Sequence, residues 1–434
     1  MLSKTKKDTK KIKKKSNNRR TNAKLYPIYK VFAWDLLCYY SIEYLFLTIT
    51  KGITASEVLI VSAAYTISKV ILQIPSVIIS EYIGKKKSII LGNFLVLLSI
   101  ILLMISPNLF FICVVQAISA MGYDIKAICD GNLLYDSVAT KGGDGLYTKL
   151  ETKGAGGYYV LDAILSMVAG YLFVINNYIP MIICSVCLFI SIIISIRFKD
   201  IYEVKKENRK SITNFTKEYK TDIIQSLKFI KKSKRIKSYL IFASVFYAAL
   251  RIMDSYKSTL LTESGVQAEQ YSIIIAVLCL IASISVGFAK TIQKKFKNRT
   301  LSFISITYLI SWTIIAGVSL NLTNSTAVPI ILALYGVNRI CDSQWYIVKG
   351  KYLKNFTEPE TREKITFTFE LISSLAGGLA ALLGSFILNI TDIKHAILLV
   401  SLGGLAMIIV VLDYMRSRFG LKPKQYSKDD LKFE

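Results

Sequence analysis

The 434-residue sequence has a single histidine, His395, and only 29 acidic residues against 55 basic ones. One histidine excludes a metal or catalytic site built on several histidines. No GxxxxGK[ST] pattern occurs, which excludes a P-loop for ATP. Because nucleophile motifs and a large extramembrane domain are also missing, we expect no enzyme, no metal and no bound cofactor.

Cysteines are few, and the sequence places no histidine near them. All seven lie inside apolar stretches, where cysteine behaves as a small hydrophobic residue. Cys184 and Cys187 form a CxxC pair, but no second Cys or His cluster accompanies them. We therefore expect neither disulfides nor a zinc site.

Long apolar runs are what the sequence has in abundance, since 53% of its residues are hydrophobic. Residues 88–106 and 179–196 contain no charge at all. About eighteen or more apolar residues suffice to cross a hydrocarbon core of roughly 30 Å as a helix. The sequence therefore predicts an all-α membrane protein. Its twelve predicted spans are 28–50, 56–80, 88–106, 109–135, 155–176, 179–197, 238–261, 269–290, 300–320, 327–347, 366–389 and 394–414.

Basic residues concentrate on one side of this map. One set of connections carries only Lys51 and Lys394, whereas the other set carries Lys85–Lys87, the cluster from Lys294 to Arg299 and both termini. Lys and Arg accumulate in cytosolic loops. We therefore expect a plasma-membrane protein with both termini in the cytosol. The lack of an organellar signal favours a bacterial plasma membrane.

The net charge of +26 does not indicate a nucleic-acid partner, because the basic residues lie in tails and short loops. Residues 1–27 form a Lys/Arg-rich cytosolic tail, which we expect to be disordered and to contact anionic lipid.

A polar loop at 198–237 separates two six-helix bundles, 28–197 and 238–415, and residues 416–434 form a second cytosolic tail. The triplet Ile128-Cys129-Asp130 in span 4 returns as Ile340-Cys341-Asp342 in span 10, which favours two related halves. We expect a monomer.

Ionisable residues inside the spans are the main functional signal. Spans 3, 6, 9 and 12 have essentially none away from their ends, which favours lipid-facing positions for them. The charged spans would line a cavity for a substrate or a proton, although interhelical salt bridges are an equally open interpretation. In span 1, Asp35, Tyr39 and Glu43 have the i, i+4, i+8 spacing of one helical face. The other candidates are Lys69, Asp124, Lys126, Asp130, Asp162, Arg251, Asp254, Arg339, Asp342 and Glu370.

The loop after span 2 reads Ser80-Glu81-Tyr82-Ile83-Gly84-Lys85-Lys86-Lys87. It resembles the signature of the major facilitator superfamily at the same place, with Glu81 as the acidic residue, Gly84 as the glycine and Lys85 and Lys86 as the basic pair. Tyr82 departs from the usual basic residue. Leu134-Tyr135-Asp136-Ser137, which leads into a Gly-rich fifth span, resembles one branch of that superfamily.

The resemblance implies two pseudo-symmetric six-helix bundles and gives Glu81, Gly84, Lys85 and Lys86 a role in gating. It also implies a secondary transporter that moves a small organic solute by alternating access. Proton-coupled efflux by antiport is our leading hypothesis, because that branch is commonly associated with export. A Gly-Pro-rich motif in span 5, usual in multidrug antiporters, is absent. The alternatives are a proton-coupled nutrient symporter and a lipid or head-group translocator.

Overall fold

The computed structural model describes residues 2–138, 143–201, 212–296, 299–357 and 362–419, and these are almost entirely helical. The first half of the chain contains seven α-helices and a π-helical turn over Phe46–Thr50; the α-helices are α1 (Leu2–Ala33), α2 (Glu43–Leu45), α3 (Ala55–Ile83), α4 (Lys85–Ile105), α5 (Leu109–Val138), α6 (Gly143–Ile175) and α7 (Ile179–Ile196). The second half contains α8 (Ile212–Lys232), α9 (Lys234–Glu263), α10 (Ala268–Gly287), α11 (Ala289–Phe296), α12 (Thr300–Asn321), α13 (Asn324–Phe356), α14 (Arg362–Ile390) and α15 (Ile393–Phe419).

Ten of the described helices are long and apolar enough to cross a membrane. The first and the tenth predicted spans complete the twelve helices of the fold, although neither is a continuous apolar helix. The first is interrupted after Ala33. The tenth lies in α13, where Asn338, Arg339, Asp342 and Gln344 lower the mean hydropathy. The predicted all-α membrane fold with twelve transmembrane helices is confirmed.

The N-terminal segment is helical, so the expectation of a disordered tail was wrong. Helix α1 begins at Leu2 and runs without a break into the first predicted span. Asn22, only 1% exposed, fixes this segment to the residues after α7. Its amide nitrogen donates to the carbonyl oxygen of Lys199 at 2.8 Å, and its oxygen accepts from the Lys199 N–H at 2.9 Å. A side chain that pairs with both groups of a peptide unit gives a fixed docking point that composition alone does not reveal.

The described contacts divide the chain into two compact units. The first unit comprises Met1–Glu43 and Ile71–Thr216, and the second comprises Tyr44–Val70 and Lys217–Glu434. In the first unit, α1 packs against α5, α6 and α7, and α4 packs against α5 and α7. In the second unit, α9 packs against α13, α14 and α15, and α12 packs against α13 and α15. The same set of neighbours therefore occurs in each unit, as the repeated Ile-Cys-Asp triplet suggests.

The helices of spans 3, 6, 9 and 12 expose large apolar side chains, as a lipid-facing position requires. Ile105, Phe189, Ile314 and Val410 are examples, one from each. Helix α6 also exposes a row of them, from Tyr159 to Ile175. Apolar exposure is therefore not restricted to the uncharged spans.

Helix α15 begins with a cap that involves the single histidine. The carboxylate of Asp392 accepts from the N–H groups of Lys394 and His395, and from the His395 imidazole. Partial burial raises the pKa of Asp392, but the hydrogen bonds from His395 outweigh it and hold that pKa below its usual value. His395 therefore has a local role at a helix start.

Candidate transport site

The first membrane helix is interrupted in the middle of its predicted span. Helix α1 ends at Ala33, and regular helix resumes only at Glu43. Within the gap, Cys38 adopts φ = 66°, the left-handed region that non-glycine residues rarely occupy. Non-helical backbone at membrane depth is tolerated where protein buries it or where it lines an aqueous cavity. Interrupted helices in transporters provide substrate and ion sites for this reason.

Helix α5 holds the interruption through two side chains one turn apart. Lys126, which is 3% exposed, donates from Nζ to the carbonyl oxygen of Ala33 at 2.7 Å. This places an ammonium on the last carbonyls of α1, where the helix dipole favours a cation. Tyr123 donates from its hydroxyl to Oδ1 of Asp35 at 2.8 Å. The two contacts satisfy polar groups on both sides of the position where the helix stops.

A close approach of α4 and α5 positions Lys126. A Cβ on Gly92 would lie 2.8 Å from Cγ of Lys126 and 2.9 Å from the carbonyl oxygen of Gly122. A Cβ on Gly122 would lie 2.8 Å from the carbonyl oxygen of Gly92. Both positions therefore require glycine. The stem of Lys126 passes over Gly92, and its ammonium reaches α1.

Helix α6 supports the same segment from another side. Asp162 lies against the backbone N–H of Cys38 and close to the charge of Asp35. The Cys38 thiol faces the carbonyl oxygen of Leu165, at 3.9 Å. The predicted site residues Asp35, Lys126 and Asp162 are thus brought together, although Asp35 lies in the interruption and the other two lie on α5 and α6.

The predicted common face of Asp35, Tyr39 and Glu43 is wrong, because no helix connects the three residues. Asp35 lies in the interruption, and Glu43 begins α2. Tyr39 is 3% exposed and donates its hydroxyl hydrogen bond to Glu43 at 3.1 Å. Asp35 instead accepts from Tyr40 at 2.9 Å. The i, i+4 spacing predicts a common face only if residues 35–43 are helical, and they are not.

Asp130 belongs to a second polar network in the first unit. Its carboxylate accepts from the hydroxyl of Tyr29 at 3.0 Å and forms a salt bridge with Lys30 at 3.3 Å. Lys30 also lies 3.8 Å from Glu151, and the Tyr29 hydroxyl accepts from Asn93 at 3.1 Å. Sequence reasoning missed Tyr29, Lys30, Asn93 and Glu151. Only Lys30 gave a signal, as a basic residue at the start of a predicted span.

Two further candidates, Asp124 and Lys69, lie on α5 and α3. Asp124, on α5, is 3% exposed. Lys69 is an exposed residue of α3 in the second unit, where its ammonium lies 6.0 Å from the ring centre of Tyr65. The structure therefore brings only some of the predicted pathway residues into one place.

Three charged candidates of the second unit are paired within single helices, and a fourth is paired between two helices. Asp254 pairs with Lys257 at 2.6 Å on α9, and Arg339 pairs with Asp342 at 2.8 Å on α13. Glu370 of α14 pairs with Lys349 of α13 at 2.7 Å.

Arg251 contacts the first half of α3, which belongs to the same unit. It donates to the hydroxyls of Ser62 at 2.7 Å and Thr66 at 3.4 Å. These two hydroxyls were not among the predicted residues, since serine and threonine in a membrane helix give no distinctive signal.

The predicted gating motif forms a tight turn with an ion pair. Gly84 separates α3 from α4 at φ = 85°, a conformation that favours glycine. Lys85 pairs with Asp136 at the end of α5, at 2.5 Å. The N–H of Lys86 lies 3.4 Å from Oδ1 of Asp200. The Glu81 side chain is outside the part of the chain that is described.

Three known structures with a similar arrangement of helices are those of transporters. The nucleoside transporter NupG superposes with a TM-score of 0.71 at 13% identity, covering 92% of this chain and 99% of that one. The peptide transporter POT in complex with sulfate gives 0.66 at 12% identity, covering 93% and 96%. A bacterial homolog to the human lysosomal transporter Spinster gives 0.62 at 11% identity, covering 93% and 95%.

At such low identities these similarities establish the fold and leave the transported solute open. No curated protein matches the chain in sequence. The family model described as Major Facilitator Superfamily matches residues 31–347, which is more than half of the chain. The chain belongs to the Major Facilitator Superfamily.

Proposed function

We propose that this protein exports a small organic solute across a bacterial plasma membrane in exchange for protons, with the interruption of the first membrane helix at the centre of its transport pathway. Membership in the superfamily supports a secondary transporter. We propose in addition the direction of transport, its coupling to protons and the residues of the site. Both termini lie in the cytosol, as the distribution of Lys and Arg favours.

The observation that carries the proposal is the position of Asp35. This half-buried carboxylate lies at membrane depth where the helix stops, and no described residue forms a salt bridge with it. An ionisable group at the centre of a membrane helix costs roughly 2.5–3.5 kcal/mol. Ion pairs offset this cost at Asp130, Asp254 and Asp342, whereas no ion pair within the described part of the chain does so at Asp35. A group that takes up a proton or a cationic ligand offsets it during the transport cycle.

Lys126, Asp130 and Asp162 support Asp35 in this role. Asp35 and Asp130 are the two carboxylates whose charges act on Lys126, and Asp162 lies close to Asp35. Ionisable groups of the interruption, α5 and α6 therefore lead from the interruption toward the end of α5 that carries Asp136. Such a series of titratable groups gives protons a route through one unit.

Proton movement in proteoliposomes tests the proposal. The full-length protein is reconstituted, a pH gradient is imposed, and proton flux is recorded against a panel of solutes. We expect a solute-dependent flux in which protons and solute move in opposite directions. Movement in the same direction would establish a symporter and overturn export. Absence of flux with every solute, in protein shown to be folded, would contradict proton coupling.

A further inference from the structure

Helix α8 ends directly before a helix that is suited to cross the membrane. Ser233 is the single residue between α8 and α9, and α9 is long and apolar enough to span a bilayer from Lys234 to Glu263. Ser233 is extended, and its Oγ accepts from the N–H of Ile236 at 3.5 Å, so α9 begins with its own cap. The C-terminal end of α8 therefore lies at the surface of the bilayer.

The composition of α8 keeps it out of the hydrocarbon core. Its 21 residues include five lysines and two carboxylates, whose burial in hydrocarbon is costly. One side of its last two turns is nevertheless buried in the protein. Ser226, Phe229 and Ile230, which have the i, i+3, i+4 spacing of one helical face, are all buried. This buried face fixes which side of α8 points outward.

The outward side of α8 carries six exposed residues, which we call the lysine stripe. Their steps of three and four residues place them along one side of the helix. Ile224 and Leu227 lie in the middle of the stripe, and each is 41% exposed. The complete stripe is Lys217, Lys220, Ile224, Leu227, Lys228 and Lys231.

The order of residues in the stripe is that of a helix that lies in a membrane interface. Two lysines precede the apolar pair and two follow it, and the stripe contains no carboxylate. In such helices, apolar side chains enter the boundary between head groups and acyl chains. Lysine stems extend along the apolar surface and bring their ammonium groups to the lipid phosphates. The stripe therefore combines apolar contact with attraction to negative charge.

An anionic bilayer fits this stripe better than water or an acidic protein does. Water solvates the lysines but leaves Ile224 and Leu227 without an apolar contact. Peptides and small ligands occupy concave grooves, whereas the outward side of a single helix is convex. A bilayer surface conforms to a ridge, and basic residues beside a membrane helix are attracted to anionic head groups. The bilayer surface is already adjacent, because α9 enters it at Lys234.

We propose that the lysine stripe of α8 docks on the anionic surface of the bilayer beside α9. Ile224 and Leu227 enter the head-group boundary, and the four lysines contact lipid phosphates. The partner is thus a phospholipid surface of negative charge. The inference does not rest on the proposed function, because docking requires neither a solute nor a proton.

Tryptophan quenching in nanodiscs measures the docking. Full-length protein with Leu227→Trp is placed in phosphatidylcholine alone or in a two-to-one mixture with phosphatidylglycerol, all with brominated acyl chains. Bromine quenches a tryptophan that reaches the acyl chains, and the wild-type protein gives the background of its own three tryptophans. We expect stronger quenching of the added tryptophan in the anionic bilayer. Gln225→Trp, an exposed position outside the stripe, should be quenched weakly in both bilayers.

Two pairs of lysine substitutions, each made together with Leu227→Trp, test the charge. Lys228→Gln with Lys231→Gln should lower the docking equilibrium about 30-fold, at roughly fivefold for each lysine near an anionic surface. Lys149→Gln with Lys153→Gln removes the same charge from exposed positions of α6 and should leave the quenching unchanged. Salt at about 1 M, where the Debye length falls to about 3 Å, should weaken the docking of the unsubstituted stripe.

Hydrogen exchange of wild-type protein gives a second measurement that leaves the stripe intact. The amides of residues 217–232 should exchange more slowly in the anionic bilayer than in phosphatidylcholine alone. Equal exchange and equal quenching in the two bilayers would overturn the inference. Undiminished quenching in the Lys228→Gln, Lys231→Gln protein, or equal quenching of tryptophans at positions 225 and 227, would overturn it as well. If soluble polyglutamate slows the exchange of α8 and the lipid composition does not, the stripe binds an acidic protein and the membrane proposal falls.

Discussion

The Lys126 ammonium lies 2.7 Å from the carbonyl oxygen of Ala33, the residue at which the first membrane helix stops. A buried lysine at this point acts as a cap for the end of a helix. Substituting Lys126→Met removes the donor and leaves a buried carbonyl unsatisfied. We expect a loss of roughly 1–3 kcal/mol in stability, the cost of an unmade buried hydrogen bond.

The measurement is the melting temperature of purified protein in detergent. Lys126→Gln retains a donor on a shorter stem and should lose less stability. Lys153→Met, at an exposed position on α6, is the control and should melt with the wild type. If Lys126→Met were as stable as Lys153→Met, the capping role would be refuted.

The glycine contact between α4 and α5 gives a second prediction. In Gly92→Ala the new methyl group would lie 2.9 Å from the Gly122 carbonyl oxygen, which is backbone and cannot move aside alone. We expect a destabilisation of about 1–3 kcal/mol from this overpacking. Gly156→Ala in α6 is the matched control, because its Cβ meets nothing within 4 Å. The control should be neutral or gain about 0.5–1 kcal/mol from helix propensity, and thermal unfolding of both variants would settle the comparison.

The backbone conformation of Cys38 gives a third prediction. A β-branched residue is strongly disfavoured at φ = 66°, so Cys38→Val should be destabilised by about 1–3 kcal/mol relative to Cys129→Val. Cys129 is a buried cysteine in regular helix α5, 2% exposed, and serves as the reference for adding the same side chain. The quantity to compare is the shift in melting temperature. Equal shifts would mean that Cys38 is not held in the left-handed conformation.

The ion pair between Lys85 and Asp136 predicts a charge-swap result. Lys85→Asp or Asp136→Lys alone places like charges together and should slow transport several-fold, with little change in stability because Lys85 is 41% exposed. The double variant restores an attractive pair and should recover most of the rate. Solute flux in proteoliposomes is the measurement. A double variant as slow as the worse single one would mean that the pair has no role in the transport cycle.

The helices and the interruption differ in how far sequence predicts them. Long apolar runs predicted the membrane helices well. The bilayer thickness sets their length, and hydrophobicity is a property of each local segment of sequence. Residues 34–42, Trp-Asp-Leu-Leu-Cys-Tyr-Tyr-Ser-Ile, contain neither glycine nor proline, so no local breaker marks the interruption. The groups that stabilise it, Tyr123, Lys126 and Asp162, come from helices far along the chain.

The candidate residues also differ in how far the sequence predicts them. Charge inside a span identified Asp35, Lys126 and Asp162 without showing that they meet at one place. The partners of Asp130 were missed, because Tyr29 and Asn93 are uncharged and resemble ordinary interface or packing residues. Polar networks between helices depend on rotation and register, which periodicity in a single sequence does not determine.

The central claim is that Asp35 couples protons to solute at the interruption, and solute-driven proton flux in proteoliposomes tests it most directly. The comparison is between wild type, Asp35→Asn and Asp413→Asn, each reconstituted at equal amounts and shown to be folded; Asp413 is an exposed carboxylate at the end of α15. The account predicts that Asp35→Asn abolishes solute-dependent proton flux while Asp413→Asn retains the wild-type rate. Undiminished coupled flux in Asp35→Asn would contradict it.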